Sequence, residues 1–225
     1  IAKYRGKYKE GYDVVRKARY ERQLAMGLID AERFPLTEID GEDWDSYSEE
    51  KRDEEDLRMA VYAAMVDRLD QNIGKVIEKL REIGKLDNTV IMFASDNGGS
   101  AEVVVKGEGE IGTIGRWESV KGSWANVSNT PYRKFKNYSF EGGITTPFIA
   151  WWPDRIRDGG KICRKPCHFV DVMPTLLEIA GGEYPDEFHG EKLNRLDGES
   201  FVSAFDDPAI DSRGTTLYWE WSKGK

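Results

Sequence analysis

Between Leu57 and Ala94 the sequence changes from a helical to a strand-like pattern within a few residues. From Leu57 to Ile83 apolar residues recur at steps of three and four, as in a helix with one buried face. Gly84 ends that pattern, and residues 89–94 are continuously apolar and rich in β-branched side chains. Such a run is typical of a strand buried on both faces. A helix, a tight turn and a buried strand in this order indicate an α/β fold.

Three further helices are predicted from periodicity and from helix-ending residues. The first covers residues 12–26 and stops at Gly27. The second covers residues 171–181, with Asp171 as its N-terminal cap. Residues 200–205 predict one more helical turn.

The remaining segments are predicted as strands or loops. A second buried strand is expected over residues 147–152, a short strand over 161–168 and an edge strand over 217–221. Residues 98–130 are rich in Gly, Ser and Asn, which predicts a long irregular surface excursion. Residues 40–56 hold ten acidic side chains, which we interpret as a solvated loop and an acidic helix start.

Composition excludes two classes of protein. Among 225 residues, 33 Lys and Arg face 41 Asp and Glu, and a net charge of −8 argues against nucleic-acid binding. No run of about 18 apolar residues exists, so no membrane span is expected.

The two cysteines, Cys163 and Cys167, do not form a zinc-binding pattern with His168 and His189. We expect two buried or half-buried thiols, with a disulfide as the open alternative.

Two short segments carry residues suited to chemistry. Asp96 and Asn97 directly follow the first buried strand, at the strand end where α/β proteins bind ligands. Their carboxylate and amide oxygens suit Ca²⁺ or Mg²⁺, although on local sequence alone Asp-Asn-Gly favours an ordinary turn. Arg133, Lys134 and Lys136 precede the second strand and could hold a tetrahedral oxyanion such as sulfate or phosphate. A solvated basic surface is the alternative.

Four stretches, in this order and with these spacings, resemble the sulfatase family, type I (formylglycine-dependent) arylsulfatases. They are residues 59–70 (MAVYAAMVDRLD), 93–99 (FASDNGG), 131–147 and 168–177 (HFVDVMPTLL). The resemblance implies an α/β, alkaline-phosphatase-like sandwich with a central, largely parallel sheet flanked by helices, incomplete in this chain. It also implies that residues 1–225 are the middle and later part of a sulfatase catalytic domain.

The resemblance assigns roles at three positions. Asp96 and Asn97 match two oxygen ligands of one divalent cation, Ca²⁺ with Mg²⁺ as the alternative. Lys136, five residues before the Glu141-Gly142-Gly143 corner, matches the lysine that contacts the substrate's sulfate. We expect the corner itself to be structural, because glycine permits close backbone approach.

The family's nucleophile is a formylglycine made within a Cys/Ser-x-Pro-x-Arg motif, and no such motif occurs in these 225 residues. We therefore expect no catalytic residue in this chain. The N-terminal part with the nucleophile and a small C-terminal subdomain are expected to be missing from it.

The implied function is sulfuric-ester hydrolysis by the complete protein, with a sulfated small molecule or sulfated glycan as substrate and with this chain alone inactive. Two alternatives stay open: a phosphatase or phosphodiesterase of the same superfamily, and a non-catalytic glycan-binding module suggested by the seven tryptophans. A periplasmic or secreted location is expected, because many relatives are exported. Apolar surface on an incomplete sheet would favour a homo-oligomer.

Overall fold

The computed structural model describes residues 1–39 and 41–220, which divide into two units. The first unit comprises Ile1–Gly84 and Met92–Ile149, together with Glu220. The second comprises Lys85–Ile91 and Ala150–Trp219.

The helices are α1 (Tyr12–Ala25), α2 (Glu49–Glu82), α3 (Lys121–Ser128), α4 (Glu141–Ile144), α5 (Val172–Ala180) and α6 (Ser203–Asp206), with 3-10 turns at Ala2–Tyr4, Trp44–Ser46 and Phe169–Asp171. Four of the helices lie close to predicted positions (α1, α2, α5 and α6), whereas α3 and α4 were not predicted. Helix α2 starts earlier than its apolar pattern, because the Ser48 hydroxyl accepts a hydrogen bond from Lys51 N and caps the first turn. No helix in the described part of the chain is both long and apolar enough to span a membrane.

The strands form three separate two-stranded sheets. The strands are β1 (Ile91–Ala94), β2 (Val105–Gly107), β3 (Arg116–Glu118), β4 (Phe148–Trp151), β5 (Glu187–Phe188) and β6 (Glu191–Lys192). β1 pairs with β4, whereas β2–β3 and β5–β6 are antiparallel pairs. A chain that mixes helices with small sheets is consistent with an α/β fragment. Within the described residues no sheet has more than two strands, so the predicted central sheet stays a prediction.

Two predicted strands are not formed. Residues 161–168 have no strand, and neither do residues 217–220, while Trp221 lies outside the described residues. The β1 and β4 strands exist but are not buried on both faces as predicted: Phe93 is 41% exposed and Ile149 is 60% exposed. Within the described residues each of these strands pairs with a single partner strand, so neither lies in the interior of a wider sheet.

Residues 98–130 are not the irregular excursion that their composition predicts. They contain the β2–β3 hairpin, with Val105 opposite Glu118, and helix α3. The two strands are only three residues long, which is too short to leave a period in the sequence.

The core of the first unit is built around Trp124 of α3, which is 1% exposed. Its ring packs edge-on against Tyr12 of α1 at 4.6 Å between centroids and against Trp44 at 6.0 Å. Its Nε1 donates a 3.1 Å hydrogen bond to Oε2 of Glu55. The indole therefore joins α1, α2 and α3 by apolar contact while its one polar atom is satisfied.

The acidic segment 40–56, whose first residue lies outside the described part, is not solvated throughout as predicted. Glu55 and Asp56 at its end are buried. Asp56 accepts hydrogen bonds from Nη1 of Arg5 at 2.6 Å and from the main-chain N of Tyr8 at 3.0 Å. These donors lie some 50 positions away in sequence, so a local charge count could not reveal the pairing.

Asp171 is not the side-chain cap of α5 that the sequence predicts. Its buried carboxylate accepts hydrogen bonds from His168 N at 2.7 Å, Glu199 N at 2.9 Å and Nη2 of Arg213 at 2.9 Å. Burial acts to raise the pKa of Asp171, but the hydrogen bonds from Arg213 and from the two main-chain groups outweigh it and lower the pKa. Asp171 therefore ties the start of α5 to the segment that follows residue 198.

Cys163 and Cys167 are free thiols, and both are exposed rather than buried or half-buried. Although Cys167 as a residue is exposed, partial desolvation of its sulfur and the nearby negative charge of Asp171 raise the pKa of Cys167 to about 11. At neutral pH this thiol is therefore protonated and a weak nucleophile.

Part of the apolar stripe between Leu57 and Ile83 is exposed, as expected for a chain that holds only an incomplete sheet. Tyr62, Leu69, Val76 and Ile83 recur every seven residues, so they share one face, and they are 39%, 47%, 60% and 54% exposed. An exposed apolar face of this length favours association with another apolar surface.

We predict that this chain self-associates through the stripe. Val76→Lys should shift it toward monomer in sedimentation velocity, because the substitution places a charge in the middle of the apolar face. Gln71→Lys adds the same charge at another exposed position of α2 and serves as the control. A wild-type chain that sediments as a monomer at all concentrations would contradict the prediction.

Candidate functional site

The loop that follows β1 holds both predicted cation ligands. Asp96 is exposed, and no described residue donates a hydrogen bond to its carboxylate. Asn97 is half-buried, and its Nδ2 donates to the main-chain oxygen of Gly98 at 2.7 Å, which leaves Oδ1 as the atom able to bind a cation. The residue that precedes them is also held, because the main-chain oxygen of Ser95 accepts a hydrogen bond from Thr146 Oγ1 at 2.9 Å.

Main-chain hydrogen bonds join this loop to the segment that carries Lys136. Gly98 N donates to Gly143 O at 3.0 Å, and Lys136 N donates to Gly99 O at 3.0 Å. Residues separated by about 40 positions are thus placed side by side. The main chain of the Asp96–Asn97 loop therefore lies against the main chain of the Lys136 segment.

Glycines make this junction possible. A Cβ on Gly98 would overlap the carbonyl oxygen of Gly142 and lie 2.8 Å from its carbonyl carbon. A Cβ on Gly142 would overlap Lys134 O, and one on Gly143 would overlap Tyr138 O. The predicted structural role of the corner is confirmed, since its glycines are needed for close packing of main chain on main chain.

Asn129 is a second connection, which sequence reasoning missed. Its Oδ1 accepts a hydrogen bond from Gly99 N at 2.8 Å, and its Nδ2 donates to Lys134 O at 3.0 Å. One amide therefore bridges the two halves of the site. Its sequence setting, Ser-Asn-Thr-Pro, signals a turn but not this bridge.

Arg16 of α1 fixes the start of the Lys136 segment and was also missed. The residue is 2% exposed. Its guanidinium donates to the main-chain oxygens of Pro131 at 3.0 Å and Tyr132 at 3.1 Å, and also to Thr37. Burial lowers the pKa of the Arg16 guanidinium. A fixed fork of donors suits this task, because it holds several carbonyl groups at once.

The three cations of the segment have three different partners. Lys136 Nζ lies 3.3 Å from Oε1 of Glu102. Arg133 lies over the ring of Phe140 at 4.8 Å, and Lys134 Nζ lies 5.3 Å from the centroid of the Tyr138 ring. Lys136 Nζ therefore lies beside an acidic side chain of the segment that follows β1.

The Asp96–Asn97 loop could supply part of a divalent-cation site. Free oxygens on Asp96 and Asn97 are the hard donors that Ca²⁺ and Mg²⁺ prefer, but Ca²⁺ takes about six to eight such ligands. Within residues 1–39 and 41–220, no group of three or more His, Cys, Asp or Glu side chains is placed to hold a metal. These two residues could therefore supply two ligands and do not by themselves complete a site.

Comparison with known proteins gives the family. The model of the sulfatase family matches residues 2–182, which is most of the chain. The chain belongs to the sulfatase family. The two segments joined at Gly98 and Gly143 both lie inside the matched range.

Named relatives agree with this assignment. The chain is 35% identical over 224 residues to an uncharacterised sulfatase of Schizosaccharomyces pombe, covering 91% of this chain and 40% of the relative. It is 35% identical over 196 residues to an arylsulfatase of Klebsiella aerogenes, covering 80% and 42%. It is 28% identical over 172 residues to the human N-acetylgalactosamine-6-sulfatase, covering 72% and 29%. The chain thus spans about two fifths or less of the length of these relatives.

We predict that Gly98→Ala lowers the free energy of unfolding by about 3 kcal/mol, because the new methyl group overlaps the Gly142 carbonyl and forces the two backbones apart. Gly74→Ala is the matched control: it lies in α2 with nothing within 4 Å of its Cβ, and it should stabilise by about 1 kcal/mol. Urea denaturation of both variants measures the difference. Equal stabilities would mean that the close contact is not formed.

Proposed function

We propose that the complete protein is a sulfuric-ester hydrolase of the arylsulfatase type, and that this chain supplies its Lys136 and two of its cation ligands. One observation carries the proposal: main-chain hydrogen bonds hold the Asp96–Asn97 loop against the Lys136 segment. Membership of the sulfatase family supports sulfate esters as the substrate class. The arylsulfatase named among the relatives supports an aryl sulfate as the first substrate to test.

Lys136 would bind one oxygen of the substrate's sulfate group. An ammonium group offers three donors and a compact charge, and it stabilises negative charge that grows on oxygen as the S–O bond breaks. Its main chain is already fixed by Gly99, so little backbone order has to be gained on binding.

Asp96 and Asn97 would hold the divalent cation, Ca²⁺ or Mg²⁺. When bound, such a cation supplies positive charge beside the sulfate oxygens. The role of the two residues is to fix its position relative to Lys136, through the hydrogen bonds that join their loop to the lysine segment.

No Cys/Ser-x-Pro-x-Arg motif occurs in the 225 residues, so we assign the formylglycine nucleophile to another part of the complete protein. We also propose that these residues form part of an alkaline-phosphatase-like sandwich. The exposed side chains of Phe93 and Ile149 support this, since they could pack against further elements of such a sandwich.

We predict that Lys136→Ala in the complete enzyme lowers turnover of an aryl sulfate by about 100- to 1,000-fold, because it removes a donor to the developing charge. Lys134→Ala is the control and should stay within about 2-fold, since its ammonium lies over Tyr138. Steady-state kinetics of both variants provide the test.

Equal losses from the two substitutions would indicate a diffuse basic surface and contradict the assignment of Lys136. The same assay with the corresponding aryl phosphate distinguishes the phosphatase alternative. A wild-type enzyme that prefers the phosphate would overturn sulfate-ester hydrolysis as the function.

We predict that Ca²⁺ binds the complete enzyme through Asp96, and binds this chain alone only weakly, because two ligands are too few. Isothermal titration calorimetry with Ca²⁺ should show binding to the complete enzyme that Asp96→Ala abolishes. Micromolar affinity in the chain alone, retained after Asp96→Ala, would place the cation elsewhere.

A further inference from the structure

We propose that Glu102 is a tethered competitor for Lys136, which occupies the lysine in the absence of substrate and sets the affinity of the site for sulfate. This inference rests on the proposed function, because it takes Lys136 as the sulfate-binding group. Glu102 would be a positioning residue that determines affinity, and it would take no part in bond breaking.

The contact between the two side chains is direct and accessible. Lys136 Nζ lies 3.3 Å from Oε1 of Glu102, and their side chains are 35% and 49% exposed. An oxyanion arriving from solvent can therefore reach the ammonium group. A buried pair would not allow such an exchange without a large desolvation cost.

Glu102 is held in place by its own surroundings. Ser100 Oγ donates to its other carboxylate oxygen, Oε2, at 3.2 Å, and Ser119 Oγ donates to its main-chain oxygen. Lys136 is fixed from the other side, since its main-chain N donates to Gly99 O at 3.0 Å. Both members of the pair are thus attached to the same stretch of chain, within three residues of Gly99.

A carboxylate and a sulfate group compete for one ammonium because both are oxyanions. Lysine has three donors, but two negative groups beside a single ammonium repel each other. Exposed ion pairs are weak, so the carboxylate can be displaced at a modest cost in affinity, about 1.4- to 5-fold. A tethered carboxylate would therefore weaken every anion at this position by about that factor.

The test is Glu102→Gln in the complete enzyme, which keeps the shape of the side chain and removes its charge. We expect KM for the aryl sulfate and the inhibition constant of inorganic sulfate both to fall by about 1.4- to 5-fold. Turnover at saturation should change little, because Glu102 does not touch the reacting atoms. Glu108→Gln is the control: it removes the same charge from an exposed residue of the β2–β3 hairpin and should leave both constants unchanged.

Repeating Glu102→Gln in a Lys136→Ala variant distinguishes an effect of the Glu102–Lys136 contact from a long-range effect of the Glu102 charge on anion binding. In that background, Glu102→Gln should no longer strengthen the binding of inorganic sulfate in calorimetry, since the lysine that Glu102 contacts is absent.

Three outcomes would each overturn the inference: an unchanged or raised KM in Glu102→Gln, an equal fall of KM in Glu108→Gln, or an effect of Glu102→Gln that persists without Lys136. If Lys136→Ala abolishes turnover while Glu102→Gln changes nothing, the proposed function stands and only the competitor role fails. If Lys136→Ala leaves turnover intact, the proposed function fails, and this inference fails with it.

Discussion

The contact between Gly98 and the Gly142 carbonyl is the constraint on which the candidate site depends. A side chain on Gly98 would overlap this carbonyl group. Because glycine has no side chain, the loop after β1 and the corner before β4 come close enough for their main chains to form hydrogen bonds. Hydrogen bonds at Gly143 and Gly99 then determine where Lys136 lies relative to Asp96. The site is therefore built by backbone packing, and its functional side chains are added to a framework already in place.

Two buried arginines hold other segments of the first unit in place, in addition to this main-chain packing. Arg16 holds the carbonyls of Pro131 and Tyr132, just ahead of the lysine segment. Arg58 of α2 pairs with Glu54 at 2.7 Å and with Glu118 of β3. Burial acts to lower the pKa of Arg58, but hydrogen bonds to Glu118 and Glu54 outweigh it and raise the pKa. Such groups fix which segments meet, since leaving one of these charges unpaired would be costly.

The residues proposed to form or support the site differ in whether the local sequence reveals them. Asp96 and Asn97 were predicted from a motif directly after a strand, and Lys136 from the family resemblance. Asn129, Arg16 and Glu102 were not, because each has a partner that lies between 30 and 116 residues away. A side chain that acts through a distant main-chain group leaves no local pattern to find.

By itself the sequence determined helices α1, α2 and α5, and it supplied the residue types from which the two site motifs were predicted. Helices α1, α2 and α5 follow from periodicity and from stops such as Gly27 and Gly181, which are local properties of the chain. Tertiary structure alone decided which faces are buried, so that the α2 stripe is exposed while Glu55 is covered. It also decided that Asp171 binds Arg213 instead of capping α5. Burial and ion pairing depend on what a distant segment places against a residue, and that is settled only when the whole chain packs.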